Sequence, residues 1–113
     1  MFEPGALVLL PFPFSDASTE KRRPVLVLTA PNEYGDFIGM AVSSRPHHDH
    51  VIALANDVLL DGNLPKPSWI RVDRVVTLNA SLVIKTFANI KPEIHRLAVS
   101  NLCEMMQQQI KQP

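Results

Sequence analysis

This sequence predicts a small, mainly β barrel closed by one C-terminal α-helix. Three observations predict it: short apolar runs separated by turns, ten prolines against four glycines, and a single helix-period segment at the end. Short strands joined by stiff turns favour a barrel over a sandwich. The chain has 113 residues, enough for one domain spanning 1–113 and too few for two.

Each element has a local reason. Leu7 to Leu10 is an apolar run bounded by Gly5 and Pro11, and reads as a strand. Pro11 and Pro13 lack the backbone donor, so Pro11-Phe12-Pro13-Phe14 reads as an edge or exit segment leading into the polar loop Ser15 to Glu20. Val25 to Leu28 is a second strand, followed by a turn over Pro31 to Asp36. A third strand is expected over Phe37 to Ser43, a polar loop over Arg45 to His50, and a fourth strand over Val51 to Ala55. Asp61-Gly62-Asn63 reads as a tight turn, and Leu64-Pro65-Lys66-Pro67 as a stiff connection. Ser68 to Val76 alternates as a fifth strand, Asn79 suits a cap or a closing loop, and Val83 to Ile90 is expected as a sixth strand. Pro92 to Gln109 is the helix: Pro92 suits the first turn and Glu93 the positive end of the dipole. Ile94, Leu97, Ala98, Leu102, Met105 and Met106 share one face, which would pack on the barrel or across a dimer interface.

Bulk composition narrows the function classes. Hydrophobic residues make up 46% of the chain, so a core can form, though one modest enough that a homodimer would add useful burial. Eleven basic and eleven acidic residues cancel, so nucleic-acid or membrane binding would have to come from a local patch. The one cysteine, Cys103, forbids an intrachain disulfide and reads as a packed thiol. No apolar run approaches the roughly 20 residues that span a bilayer. The start Met1-Phe2-Glu3-Pro4-Gly5 lacks the basic region of a signal peptide, so a soluble cytoplasmic protein without membrane partners is expected.

Polar groups gather at three strand ends. In Lys21-Arg22-Arg23-Pro24, an arginine can grip a phosphate through two parallel hydrogen bonds; a solvated basic turn is the plainer alternative. Ser43-Ser44-Arg45 places hydroxyls beside a cation, though serine is common at any strand exit. In Ser68-Trp69-Ile70-Arg71-Val72-Asp73-Arg74, strand periodicity sets Arg71 and Asp73 on one face beside Trp69, and Val75 would continue that face. Such a pair can do acid–base work, or can be a surface ion pair of small energetic worth. His47, His48, Asp49 and His50 form a further cluster; a solvated loop comes first, nucleic-acid contact second and a metal site last, because adjacent residues rarely converge on one ion. Phe12, Phe14 and Trp69 can stack on unpaired bases or pack against the domain.

The order of these segments resembles the MazF/PemK family, the toxins of type II toxin–antitoxin modules. The resemblance runs from the Gly5-Ala6-Leu7-Val8-Leu9-Leu10 strand through Lys21-Arg22-Arg23-Pro24-Val25-Leu26-Val27-Leu28, Val42-Ser43-Ser44 and Pro67-Ser68-Trp69-Ile70-Arg71-Val72-Asp73 to the final helix. It implies an SH3-like barrel of the MazF/PemK/CcdB type and a homodimer. It implies sequence-specific, metal-independent cleavage of single-stranded RNA, with no cofactor. A cognate antitoxin would block the RNA groove, and DNA would be met only indirectly, through the antitoxin complex. By the same resemblance Arg23 would hold the scissile phosphate, and Ser43 stands where threonine is common. Asp73 would take the proton of the ribose 2′-hydroxyl, and Arg71 would stabilise charge or protonate the leaving oxygen. The product would carry a 2′,3′-cyclic phosphate. Lys21, Arg22, Ser44, Arg45, His47 and Trp69 are the expected RNA contacts. Some PemK-like members carry a histidine in the first loop; Ser15-Asp16-Ala17-Ser18-Thr19-Glu20 has none. Two other readings use the same barrel: a CcdB-like toxin that binds a protein target such as a topoisomerase, and a catalytically silent nucleic-acid-binding module.

Overall fold

Apolar side chains on both faces of the central strands dictate the architecture. The computed structural model describes residues 2–11, 22–46 and 49–111. Its strands are β1 (Ala6–Pro11), β2 (Arg22–Val27), β3 (Asp36–Ser43), β4 (Val51–Leu54), β5 (Leu59–Gly62), β6 (Ser68–Asn79) and β7 (Lys85–Ile90), and its helix is α1 (Pro92–Gln108). They form one seven-stranded antiparallel sheet in the order β4-β6-β3-β2-β1-β7-β5, curled into a half-barrel with the helix against it.

Strands buried on one face alternate; strands buried on both are continuously apolar. β1 to β3 are of the second kind. Leu7, Leu26, Met40 and Val42 enter one cluster with Ile70, Val72 and Ala98. Their sequence neighbours Ala6, Val8, Val25, Val27 and Ala41 enter another with Phe37 and Leu78. The helix seals the first cluster through Ala98, with Ile94 and Leu102 packed beside it. Leu97 and Met106, expected on that face, are exposed. No helix among the described residues is long and apolar enough to cross a membrane.

Three differences from the sequence reading have physical causes. Residues 61 and 62 belong to a strand: Asp61 pairs with Asn89 and Gly62 with Ala88. The turn signal is real at Gly62, whose φ is +82° and where a Cβ would collide with the Phe87 carbonyl, but it ends a strand that Asp and Gly disguise. The expected fifth strand extends to Asn79 as the 12-residue β6, because a single strand serves two neighbours. Its first half lies between β4, Arg71 opposite Val51, and the end of β3, Ser43 opposite Trp69, while its second half pairs with the body of β3, Leu78 opposite Phe37. Between them the β3 register jumps, from Met40 opposite Val75 to Val42 opposite Ile70. The shift is odd, so alternation reverses across it. Ile70 and Val72 point into the first cluster, whereas Leu78 points into the second. Val75 therefore does not continue the Trp69–Arg71 face; it lies opposite Met40.

The turn between β2 and β3 is held from within by Asn32 and from outside by Asn79. The Asn32 side-chain oxygen accepts from the backbone of Tyr34 and Asp36, each at 2.9 Å. Asn79 donates to the Tyr34 carbonyl and to Asp36 Oδ1, each at 3.0 Å, and accepts from the Ser81 backbone N–H at 3.0 Å. That last bond is the cap expected of Asn79.

Candidate functional site

Antiparallel pairing brings the start of β2, the end of β3 and the start of β6 to one end of the sheet. Ser43 lies opposite Trp69, and Trp69 opposite Ala53 on β4. The β2–β3 ladder, with Val25 opposite Ala41, aligns Arg23 with Ser43 when continued along both strands. Arg23, Ser43 and Trp69 thus form a row across three strands. Arg71 follows Trp69 on the same face of β6.

Within this row Arg71 is fixed. Its Nε donates to Asp73 Oδ1 at 3.2 Å and its Nη2 to Asp73 Oδ2 at 3.0 Å. This two-pronged geometry leaves Nη1 available to a further acceptor. The two side chains are 22% and 33% exposed, so the pair lies at the surface with its edges covered. Ser43 Oγ accepts from the Arg45 backbone N–H at 3.1 Å, which tightens the strand exit. Ser44 and Arg45 are exposed, and Trp69 is half-buried. Lys21 and His47, expected as contacts, lie outside the described residues, as do Phe12, Phe14 and His48. Asp49 and His50 are exposed, and His50 holds a positive φ of 56°. Among the described residues no three His, Cys, Asp or Glu side chains are grouped to hold a metal ion.

A cleft of about 620 Å³ opens at this end of the sheet, lined mainly from the face of Pro24, Val42 and Ser68, opposite the face of the row. Arg22, Arg23, Lys66 and Lys85 line it, with no carboxylate among the described lining residues. Ser44 and Asn63 add hydrogen-bonding groups, while Pro24, Leu64 and Phe87 supply apolar wall. The sequence reading included Arg22, Arg23 and Ser44 and passed over Lys66, Lys85 and Asn63. Isolated lysines carry no spacing signal; the sheet order sets Lys85 and Pro24 on either side of Leu9, and the connection from β5 to β6 carries Asn63 and Lys66 to the same cleft.

With this geometry in view, the chain was compared with known proteins. Residues 3–106 match the model of the PemK-like, MazF-like toxins of type II toxin–antitoxin systems. The chain belongs to that family. Comparison with curated proteins finds no match. Among solved structures, it resembles an endoribonuclease in complex with its cognate antitoxin from Mycobacterial species, with a TM-score of 0.72, 11% identity and full coverage of both chains. It also resembles MazF in the MazE–MazF complex from Deinococcus radiodurans, with a TM-score of 0.69, 19% identity and coverage of 93% of this chain and 94% of that one. A third similar structure is the Mycobacterium tuberculosis toxin MazF-mt6, with a TM-score of 0.68, 13% identity and coverage of 90% and 96%. These likenesses establish the MazF-type fold: a curled sheet with one terminal helix.

Proposed function

We propose that this MazF/PemK-like chain is an endoribonuclease toxin that cuts single-stranded RNA by attack of the ribose 2′-hydroxyl on the adjacent phosphate. The observation that carries the reading is the row of Arg23, Ser43, Trp69 and the Asp73-braced Arg71 along one end of the sheet. Membership of the toxin family supports it, as do the similar folds described as endoribonucleases.

Phosphate-ester cleavage needs charge stabilisation where negative charge grows, a base for the nucleophile and a proton for the leaving group. Arg23 binds the scissile phosphate, and Ser43 orients it. The Asp73 carboxylate retains lone pairs beyond those used by Arg71, and one accepts the 2′-hydroxyl proton. The 2′-oxygen then bonds to phosphorus as the bond to the 5′-oxygen breaks, giving a 2′,3′-cyclic phosphate and a 5′-hydroxyl. A guanidinium holds its proton too tightly to be an efficient acid. Arg71 therefore serves chiefly as a fixed positive charge presented by Asp73, and solvent protonates the leaving oxygen. No step calls for a metal ion.

Trp69 offers a stacking surface to an unpaired base, and Arg22, Ser44, Arg45, Lys21 and His47 provide the surrounding contacts. The toxin works as a homodimer in the cytoplasm. A cognate antitoxin covers the same surface, and DNA is reached only through that antitoxin.

Incubating the purified protein with a long single-stranded RNA in EDTA tests this reading. The expected result is a limited set of fragments ending in 2′,3′-cyclic phosphate. Intact RNA, or cleavage that EDTA abolishes, contradicts it; inhibition of DNA supercoiling in place of cleavage would favour a topoisomerase-binding toxin.

A further inference from the structure

We propose that His50 is the general acid of the cleavage, handing a proton through one water molecule to the 5′-oxygen as it leaves. This rests on the endoribonuclease reading and names the source of the proton that solvent delivers in it. Asp73 takes the proton of the 2′-hydroxyl, the 2′-oxygen bonds to phosphorus and the bond to the 5′-oxygen breaks. The intervening water passes that oxygen a proton as it takes one from the imidazolium. Asp73 ends protonated and His50 neutral, and exchange with solvent restores both.

Position is the first argument. Residue 50 leads into β4, whose first residue, Val51, lies opposite Arg71. The Val72 backbone N–H donates to the His50 carbonyl at 2.9 Å. Val72 stands between Arg71 and Asp73 in the chain. The bond therefore holds the His50 backbone one strand spacing, about 4.8 Å, from the stretch of β6 that carries the ion pair. Ser43 and Arg23 lie on the other side of β6, so the pair stands between the phosphate-binding strands and His50.

The backbone is the second argument. Along β4 every second residue is buried, and Ile52 and Leu54 enter the core. Residue 50 shares their parity, and continued pleating would bury it too. It is exposed instead, and its φ of +56° is the sole positive φ of a non-glycine among the described residues. The left-handed turn breaks the alternation and keeps the imidazole at the surface, where water reaches it. Glycine makes such a turn without strain. A histidine there accepts strain and retains a proton-transfer group, and strained residues of this kind cluster at functional sites.

Chemistry is the third. A leaving alkoxide needs a proton, and the arginines at this end of the sheet, Arg23, Arg45 and Arg71, hold theirs too tightly. An imidazole gains and loses a proton near neutral pH. The other described histidine, His95, lies beside Gly5 at the start of β1, whereas Arg23 pairs with Leu10 toward the end of that strand. Among the described residues His50 is therefore the imidazole at the site's end of the sheet. A solvated turn residue with no part in the reaction is the plainer alternative, and the two differ in how they depend on the leaving group.

The test uses a leaving group that needs no proton. Cleavage rates are measured in EDTA on natural single-stranded RNA and on the same RNA with sulfur in place of the leaving 5′-oxygen at a linkage that wild type cuts; the thiolate departs unprotonated. Two variants remove the imidazole: His50→Gly, which suits the positive φ, and His50→Asn, which tolerates it. Each is checked for wild-type circular dichroism. Both should cut natural RNA about 100-fold more slowly, the lower range for losing a general acid. Both should cut the sulfur-bridged RNA at the wild-type rate, whereas Asp73→Ala should be slow on both RNAs, because the nucleophile still needs its base. Wild-type rates on natural RNA in the His50 variants overturn the acid and leave the nuclease reading standing. Equal losses on the two RNAs also overturn it, and reduce His50 to a binding or structural role. A wild-type protein that cuts neither RNA overturns the nuclease reading and the acid with it.

Discussion

Asp73 holds both prongs of the Arg71 guanidinium, so its role separates into stability and chemistry. A surface pair of this kind contributes under about 1 kcal/mol. Asp73→Ala should therefore unfold in denaturant within that margin of wild type, yet cut RNA about 100-fold more slowly, the lower range for losing a base. Equal rates in stopped-time cleavage assays would reduce the pair to a structural contact. The motif residues were legible in the sequence because Arg23-Pro24 and Arg71-Val72-Asp73 are contiguous and strand-spaced. Lys66 and Lys85 were not, because their proximity exists only after β2, β1, β7 and β5 pair in that order.

β6 decides how the elements meet. Its apolar alternation marks a strand, but no residue announces the register jump that divides its ladder with β3. That jump explains why Arg71 and Val75 diverge, against the simple period-two expectation. β5 was hidden for the opposite reason: Asp61-Gly62 carries a turn's composition while pairing as an edge strand. β1 to β3 and the helix were legible, since their apolar runs are long enough to fix type and near-correct bounds. Asn79 ends β6 and staples it to the β2–β3 turn through Tyr34 and Asp36. Asn79→Ala removes these bonds together with the cap to Ser81, and should cost about 1–2 kcal/mol. A lowered urea midpoint at unchanged m-value would report that loss; an unchanged midpoint would deny the staple.

The whole molecule is neutral in formal charge and carries a local group of cations. Arg22, Arg23, Lys66 and Lys85 line one cleft, while Leu97, Met106 and Ile110 leave apolar surface exposed along and just after the helix. A domain of this size gains stability by burying such surface in a second copy. Sedimentation at micromolar concentration should give twice the chain mass, and a monomer alone would contradict the proposed dimer. The family match covers residues 3–106, so fold and toxin class extend over nearly the whole chain.

The central claim is that Arg23 stabilises the phosphate being cut, and it is tested most directly by the cleavage rate of Arg23→Ala. Arg23 is exposed, so the variant should fold as wild type does. Removing one such electrostatic contact costs about 10²–10³ in rate. The account predicts a loss of at least about 100-fold in EDTA on the RNA that wild type cuts. Undiminished cleavage by a folded Arg23→Ala protein would contradict it.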